Sequence, residues 1–362
     1  MRILAAMSGG VDSSVAALRL LEEGHEVIGL FMRSGVEAPL DVDPHRQGCC
    51  SAADAQIARG CAGILGIPFY ALNFEDDFGR IIEDFVNAYA AGRTPNPCVR
   101  CNDWLKFGHL LDFARSVGAE AVATGHYADI LVAPSGRRAL CRPKDRDKDQ
   151  TYYLAGLTQE QLEWARFPLA NLEKSEVRSL AKKHGFPNAY KPESQEICFV
   201  PSGNYRSLVR DRRPDAMAPG EILDRSGKIL GRHDGVAGFT IGQRRGLGIS
   251  SEKPLYVLEL DPAARTVVVG GREELASGGL VASGMNWMGA SPPEVGESFS
   301  CRVQIRYRHR AVGASIACQE RDRIEVYFEE RQDAVTPGQT LVLYDLEDRV
   351  VLARGTIEGK NR

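Results

Sequence analysis

A short segment rich in glycine and serine, Ser8-Gly9-Gly10-Val11-Asp12-Ser13-Ser14, constrains the fold more than any other part of the chain. It follows an apolar run at residues 3–7 and opens a helical pattern at residues 14–23. The glycines let several backbone N–H groups point at one anion, and the serine hydroxyls and the helix start add to the attraction. A capped turn between a strand and a helix is the simpler alternative. The length and composition of the motif favour a phosphate-binding loop.

Asp12 adds a second inference about the same loop. Its carboxylate would repel a phosphate unless a cation lay between them, so the loop predicts a nucleotide that binds together with Mg²⁺. The segment lacks the Gly-Lys-Ser/Thr ending of a Walker A motif. The phosphate loop is therefore of another class.

The first half of the chain alternates apolar runs, which are typical of strands, with helical patterns. The predicted strands cover residues 3–7, 27–32, 68–74 and 121–124, and the predicted helices cover residues 14–23, 51–65, 76–91 and 104–117. Strand, helix, strand order with short turns predicts an α/β fold whose parallel sheet is covered on both faces. Ligands of such sheets bind beyond the carboxyl ends of the strands, where residues 8–14 and 124–127 fall.

After about residue 203 the pattern changes to short strands separated by turns. Residues 221–230 and 255–269 are each typical of a hairpin, and alternating runs follow from residue 280 onward. This part predicts two small mainly-β domains, barrels or sandwiches. We expect an α/β domain at 1–203, a central β-rich domain at 207–273 and a C-terminal β-barrel domain at 279–362.

Composition limits the class of protein. Hydrophobic residues make up 43% and charged residues 26% of the 362 residues, the balance of a soluble globular protein. We recognise neither a signal peptide nor a membrane-spanning run, which predicts a cytoplasmic protein that does not contact membranes. A formal charge of −3 means that any nucleic-acid-binding surface must be a local basic patch. The nine scattered cysteines favour reduced thiols over a secreted disulfide framework.

Cys98 and Cys101 form a Cys-x-x-Cys pair in Thr94-Pro95-Asn96-Pro97-Cys98-Val99-Arg100-Cys101-Asn102. We expect Asn102 to cap a helix that begins at Asp103, and the helix dipole and Arg100 then favour the thiolate form of these cysteines. A structural zinc is the commonest meaning of the spacing, but no second such pair supplies the other ligands. A buried inert pair is another interpretation, and a reactive pair that works with the distant Cys198 is a third. The residues alone leave zinc and redox chemistry equally open.

Two basic segments are candidates for phosphate contacts. Strand alternation across residues 302–310 predicts that Arg306, Arg308 and Arg310 share one face, a stripe suited to an RNA backbone. A solvated barrel face explains this stripe almost as well. Arg244 and Arg245 lie in a glycine-rich loop and either contact phosphates or keep the loop soluble. Elsewhere in the chain, we interpret Cys49 and Cys50, which precede a predicted helix, as structural or weakly reactive.

Several segments resemble one known family. The phosphate loop is similar to the SGGxDS fingerprint of the PP-loop ATP pyrophosphatase superfamily, which implies cleavage between the α- and β-phosphates of ATP and adenylation of an acceptor. The ordered set of motifs resembles the bacterial and mitochondrial tRNA-specific 2-thiouridylases. Besides the loop, the set comprises Gly92-Arg93-Thr94-Pro95-Asn96-Pro97, Thr124-Gly125-His126-Tyr127, Lys148-Asp149-Gln150, Ile197-Cys198-Phe199, Gly242-Gln243-Arg244-Arg245-Gly246-Leu247-Gly248, Arg306-Tyr307-Arg308 and Thr336-Pro337-Gly338-Gln339.

The resemblance implies roles for individual residues. Cys101 matches the catalytic nucleophile and Cys198 the persulfide carrier, and the two would end the reaction as a Cys101–Cys198 disulfide. The residues that match the ATP site are Ala6, Met7, Ser8, Gly9, Gly10, Val11, Asp12, Ser13, Met32 and Gly125. Those that match the loop meeting the target base are Asn96, Pro97 and Cys98, and those that match tRNA contacts are His126, Lys148, Asp149, Gln150, Arg306, Tyr307 and Gln339.

The implied reaction is ATP-dependent 2-thiolation of the wobble uridine in the tRNAs for lysine, glutamate and glutamine. Mg-ATP would adenylate the uridine O2, and persulfide sulfur would then replace that oxygen to give 2-thiouridine, AMP and pyrophosphate. The sulfur would come from a cysteine desulfurase or a sulfur-relay protein.

Two segments depart from the family pattern. Relatives carry Asp, to which an acid–base role is ascribed, at the position of Cys98. Cys98 is then either an alternative acid–base thiol or, with Cys101 and Cys198, a ligand of an iron–sulfur cluster. Glu193-Ser194-Gln195-Glu196 replaces the commoner Asp-Ser-Thr-Gly type. The rival hypotheses are another PP-loop ligase that acts on a small molecule and a zinc-stabilised RNA-binding protein.

Overall fold

The computed structural model describes residues 1–35, 51–193, 197–200 and 203–361. Cys49, Cys50 and residues 194–196 lie outside the described residues, so the interpretations given to them stay predictions. Within the described ranges, no helix is both long and apolar enough to cross a bilayer.

The first part of the chain folds as predicted into an α/β domain. Its strands are β1 (Arg2–Ala6), β2 (Glu26–Arg33), β3 (Phe69–Asn73), β4 (Ala121–Ala123) and β7 (Ala165–Arg166), with a separate hairpin of β5 (Asp129–Val132) and β6 (Arg138–Cys141). Its helices are α1 (Val11–Glu22), α2 (Ala52–Leu65), α3 (Glu75–Ala90), α4 (Pro97–Arg100), a π-helix (Cys101–His109), α5 (Leu110–Ser116), α6 (Thr151–Leu154), α7 (Gln159–Trp164) and α8 (Lys174–Lys183).

The main sheet is parallel and has the order β3-β2-β1-β4-β7. Alternate residues of β1 belong to different cores: Leu4 packs in a cluster with α3 and α5, whereas Ile3 and Ala5 pack in a cluster with α1, α2 and α8. Both faces of the sheet are therefore covered, as the sequence predicts. Because β2 and β4 flank β1 on opposite sides, their connections diverge and leave a crevice at the carboxyl end of β1.

The helix that carries the Cys-x-x-Cys pair begins earlier than predicted. It starts at Pro97, passes through the π-helix and ends with α5 at Ser116. Proline suits the first turn of a helix because its missing N–H is not needed there. The prediction that Asn102 caps the helix is wrong, since Asn102 lies buried inside it and donates to the Tyr153 carbonyl at 3.0 Å.

The rest of the chain forms two mainly-β parts, which confirms the predicted fold class. After α9 (Tyr205–Arg212) come β8 (Gly220–Leu223), β9 (Ile229–His233), β10 (Tyr256–Asp261) and β11 (Thr266–Gly270), in the sheet order β10-β11-β8-β9. The last part is a closed barrel in the order β12-β15-β14-β13-β16-β17. Its strands are β12 (Ala276–Trp287), β13 (Ser298–Gln304), β14 (Val312–Glu320), β15 (Arg323–Asp333), β16 (Thr340–Tyr344) and β17 (Val351–Lys360). Both predicted hairpins are antiparallel pairs, β8 with β9 and β10 with β11.

The predicted basic strand face is wrong in its geometry. Strand β13 ends at Gln304, so Arg306, Arg308 and Arg310 lie in the connection to β14. The Gln304 side chain donates to the carbonyls of Arg306 and Tyr307 at 3.1 and 2.7 Å, which turns the chain out of the barrel. Strand alternation therefore does not apply to these arginines.

The barrel is joined to the α/β domain by buried charges. Arg354 of β17 donates to the Asp103 carboxylate of the π-helix at 2.7 Å, and the two side chains are 12% and 11% exposed. A second group surrounds Arg142, which bonds Asp149 and also Asp348 at 2.7 Å, and lies 3.7 Å from the Tyr344 ring centre. These contacts fix the barrel against the helix that carries Cys101.

We predict that Arg354→Met lowers the free energy of unfolding by about 3 kcal/mol, because it leaves the Asp103 carboxylate buried without a partner. Burial already raises the pKa of Asp103, although Arg354 opposes the shift. When folding raises the pKa of an acid, the folded protein loses stability as pH rises from the unfolded-state pKa to the raised value. The deficit should therefore be larger at pH 8 than at pH 5 in urea unfolding. The double variant Asp103→Asn/Arg354→Met buries neither of these two charges, so it should recover part of the lost free energy of unfolding. An Arg354→Met protein as stable as wild type would contradict this role of the ion pair.

Candidate active site

The phosphate loop after β1 is closed by its own serines. The hydroxyls of Ser13 and Ser14 both donate to the Gly10 carbonyl, at 3.0 and 3.2 Å, and the Ser8 N–H donates to the Ser13 hydroxyl at 3.1 Å. Ser13 and Ser14 are buried, whereas Ser8 is half-buried. The Ser13 and Ser14 hydroxyls, which the sequence predicts to bind phosphate, therefore also hold the loop backbone in its conformation.

Two further residues hold the loop from outside. Gly125, just after β4, has no room for a side chain, because a Cβ there would lie 2.5 Å from the Ser13 nitrogen. Asn188, which is 1% exposed, donates to the Gly9 carbonyl at 3.1 Å and to the Ser14 hydroxyl at 3.0 Å. The predicted ATP-site residues Ala6, Met7 and Met32 are buried at the ends of β1 and β2 beneath the loop.

The Asp12 carboxylate is held by a lysine that the sequence analysis did not single out. The Lys174 ammonium lies 2.7 Å from both Asp12 oxygens, and the Tyr127 hydroxyl donates to the same carboxylate at 2.9 Å. Burial, followed by the Asp12 charge, raises the pKa of Tyr127, so its phenol stays protonated. The Lys174 ammonium therefore balances the negative charge that Asp12 brings to the loop.

Lys174 also links the loop to the segment before Cys198. Its ammonium lies 3.0 Å from Glu193, whose carboxylate also accepts from Lys148 at 2.8 Å. Burial opposes ionisation of Glu193, but the two ammonium groups outweigh it and hold the pKa of that carboxyl below its usual range. A chain of charges therefore runs from Asp12 through Lys174 and Glu193 to Lys148, and Glu193 is five residues before Cys198 in sequence.

One sequence feature could have revealed Lys174. It is the first residue of α8, where a cation is disfavoured by the helix dipole. A lysine at such a position suggests that its charge pairs with an anionic group elsewhere in the fold. Asn188 has no comparable signature, because only the tertiary fold brings it to the loop.

The three cysteines singled out from the sequence differ in their exposure. Cys98 is exposed, whereas Cys101 and Cys198 are half-buried, and all three are present as thiols. Arg100, between the first two, lies 3.3 Å from the Asp84 carboxylate of α3 and 4.9 Å from the Trp104 ring centre.

Helix α3 is the common support of these cysteines. It packs against α4, and its Phe85 ring meets the Phe199 ring edge-on at 5.2 Å. Cys101 and Cys198 both pack against the same hydrophobic cluster, to which Phe85 and Phe199 belong. Both segments therefore contact α3, although 97 positions separate the two cysteines in sequence.

The described residues contain no group of three or more His, Cys, Asp or Glu side chains placed to hold a metal ion. Cys98, Cys101 and Cys198 therefore do not form a ready-made zinc or iron–sulfur site in this arrangement.

The barrel holds the predicted target-base loop in place. The Thr94 N–H donates to the Pro337 carbonyl at 2.8 Å, and the Gln339 amide donates to the carbonyls of Thr94 and Pro95 at 2.9 and 3.3 Å. A Cβ at Gly338 would lie 3.0 Å from the Thr94 nitrogen, so this close approach requires glycine. Gln339, a predicted tRNA contact, is engaged with the protein backbone here.

An aromatic pair flanks Cys98. The rings of Tyr153 and Tyr307 lie 4.2 Å apart and are tilted by 32°. Burial, followed by the nearby Cys98, raises the pKa of Tyr153. Tyr307, a predicted tRNA contact, is therefore next to the predicted target-base loop, with Arg308 close by.

The other predicted tRNA contacts lie in different environments. His126 is buried beside Thr124, and burial together with Lys106 holds its pKa well below the usual range, so it is neutral. The Asp149 carboxylate is bonded to Arg142 and Thr151, and Gln150 accepts from the Tyr127 N–H at 2.9 Å. Lys148 is a third exposed, and the Arg306 guanidinium donates to the Asp333 carbonyl. Their contacts with tRNA stay predictions.

Comparisons with known proteins cover the whole chain. Residues 1–202 match the tRNA methyl transferase HUP domain, residues 207–271 the tRNA methyl transferase PRC-barrel domain and residues 277–357 the aminomethyltransferase β-barrel domain. A solved subunit of a tRNA methyltransferase from Methanocaldococcus jannaschii is similar at 18% identity over 50% of this chain and 76% of its own, with a TM-score of 0.32.

Full-length relatives are much closer in sequence. The tRNA-specific 2-thiouridylase MnmA of Geotalea uraniireducens is 49% identical over 99% of this chain and 95% of its own length. Those of Geobacter metallireducens and Methylobacterium radiotolerans are 48% and 45% identical, over 99% and 98% of this chain and 96% and 93% of theirs. The chain belongs to the tRNA-specific 2-thiouridylase family.

Proposed function

We propose that this protein uses ATP to convert a uridine of tRNA into 2-thiouridine. The observations that support the proposal are the phosphate loop with its Asp12–Lys174 ion pair and the contact of both cysteine-bearing segments with α3. Lys174 links the loop to Glu193, and α3 supports both cysteine-bearing segments. A site that combines nucleotide activation with two thiols suits the replacement of a carbonyl oxygen by sulfur.

In the nucleotide step, ATP would bind with its phosphates at the loop of Ser8 to Ser13. The Asp12 carboxylate and the Ser8 hydroxyl are oxygen donors of the kind that Mg²⁺ prefers. The ion would neutralise phosphate charge as pyrophosphate leaves. Lys174 would exchange its bond with Asp12 for one with a phosphate, and the uridine O2 would attack the α-phosphate.

In the sulfur step, a persulfide on Cys198 would supply the terminal sulfur to C2 of the adenylated uridine. AMP then leaves, which is easier than expelling the original oxygen. Cys101 would then attack Cys198 Sγ, which breaks its bond to the C2-bound sulfur, releases 2-thiouridine and closes a Cys101–Cys198 disulfide. In the alternative order, Cys101 attacks the persulfide first, and the sulfide that it expels attacks C2 as AMP leaves. A thiol reductant would reopen the disulfide.

The RNA and protein partners follow from the same site. The target uridine would enter beside Asn96 to Cys98, next to Tyr307 and the barrel turn that ends at Gln339. By membership of the family, we expect the wobble uridine of the tRNAs for lysine, glutamate and glutamine. A cysteine desulfurase or a relay protein would load Cys198. Cys98, which replaces the family Asp, would act as an exposed acid–base thiol.

The test is mass spectrometry of nucleosides from tRNA incubated with the protein, Mg-ATP and a persulfide source. We expect 2-thiouridine together with an equal amount of AMP. Release of AMP without any thiolated nucleoside would contradict the proposal.

We predict that Cys198→Ser abolishes 2-thiouridine formation, because serine cannot carry a persulfide, while the affinity for ATP is unchanged. The matched control is Cys318→Ser in the barrel, a buried thiol that donates to the backbone carbonyls of Pro293 and Glu320. The control should thiolate tRNA at the wild-type rate. Continued thiolation by Cys198→Ser would remove this residue from the mechanism.

We also predict that Lys174→Met raises the Kd for Mg-ATP by about tenfold or more, the value of one hydrogen bond to a charged group. Lys183→Met at the exposed end of the same helix is the control and should bind ATP normally. Isothermal titration calorimetry measures both. Equal affinity in wild type and Lys174→Met would exclude a phosphate contact by this lysine.

A further inference from the structure

A cluster of arginines lies outside the site described above. Arg206 and Arg210 are one helical turn apart on α9, so they share a face of that helix. Arg244 and Arg245 lie in the glycine-rich loop of the central domain and are exposed. A Cβ at Gly246 of this loop would lie 3.9 Å from the Arg206 guanidinium, so helix and loop form one surface. We call these four residues the arginine surface.

The arginine surface differs from the neighbouring Arg213 in its ion pairing. Within the described part of the chain, none of its four guanidinium groups forms a salt bridge, whereas the neighbouring Arg213 pairs with Asp215 at 2.7 Å. Arg206 lies over the Phe239 ring at 5.7 Å, which orients it without cancelling its charge. The formal charge of the whole chain is −3, so a local cluster of four arginines contrasts with the overall charge. They concentrate positive potential at one place.

The arginine surface adjoins the cysteine side of the catalytic domain. Tyr205, at the start of α9, stacks on Tyr89 of α3 at 4.3 Å, and α3 also supports Phe199 and α4. A polyanion whose one end reaches Cys98 could therefore extend across α9 and the loop. Planar guanidinium groups bind phosphate oxygens in pairs, which suits a nucleic-acid backbone.

We propose that the arginine surface is a second RNA-binding surface, which contacts the phosphate backbone of the tRNA away from the base that reacts. The proposal rests on the proposed function only for the identity of the RNA. Phosphate contacts of this kind fix position and carry no sequence information. The surface therefore supplies affinity and orientation and takes no part in chemistry.

The experiment measures tRNA binding by Arg244→Gln/Arg245→Gln across a range of salt concentrations. These two side chains are exposed, so the fold should be unaffected. We expect the Kd for tRNA to rise several-fold and the slope of log K against log salt to fall by about 2, one for each lost phosphate contact. The kcat for thiolation at saturating tRNA should equal the wild-type value, with a higher KM.

The matched control is Lys183→Gln/Arg321→Gln, which removes two exposed positive charges from α8 and from the turn between β14 and β15. It should leave the Kd and the salt slope unchanged. The proposal is overturned if the arginine variant keeps the wild-type Kd and slope, or if the control loses as much affinity.

A third outcome assigns the surface to another partner. If the arginine variant binds tRNA normally and thiolates with inorganic sulfide, but fails with a protein sulfur donor, the surface binds an acidic protein and the proposal is wrong. A wild-type protein that binds tRNA through this surface but forms no 2-thiouridine would instead refute the proposed function.

Discussion

The buried ion pair between Asp103 and Arg354 is the constraint on which the site depends. It connects the π-helix that carries Cys101 to strand β17 of a barrel formed some 250 residues later in the chain. A buried charge of either sign would be costly alone, so each domain stabilises the other only when the two are docked. The barrel is then also in position to hold Thr94 and Pro95 through Gln339. The shape of the target-base loop is therefore a property of the assembled chain.

A row of four alternating charges begins at the phosphate loop. Asp12, Lys174, Glu193 and Lys148 alternate in sign, with separations of 2.7 to 3.0 Å between neighbours. The two carboxylates keep the two lysines oriented before any ligand arrives. A polyphosphate or an RNA phosphate can then take over an ammonium group that is already in place. Under the proposed function, nucleotide binding at Lys174 and RNA binding at Lys148 would both act on the same carboxylate, Glu193, which lies close in sequence to Cys198.

Local sequence patterns predicted the architecture but not the contacts between its parts. The phosphate loop and the parallel sheet follow from short-range features, glycines and apolar runs, that need no tertiary information. The start of the cysteine helix was misplaced because Asn102 is a residue type that caps helices, whereas here its side chain is buried against Tyr153 and the helix begins at Pro97. The basic strand face was wrong because Gln304 ends β13 with side-chain bonds to the next turn. Lys174, Asn188 and Arg354 act through partners far away in sequence, and no local pattern identifies such pairs.

The central claim is that Cys101 and Cys198 serve the same adenylated uridine. Peptide mapping by mass spectrometry after a single turnover without reductant tests it most directly, starting from protein loaded with persulfide on Cys198. The account predicts one Cys101–Cys198 disulfide for each 2-thiouridine formed, and none when ATP is omitted. Formation of 2-thiouridine with both cysteines still reduced would contradict it.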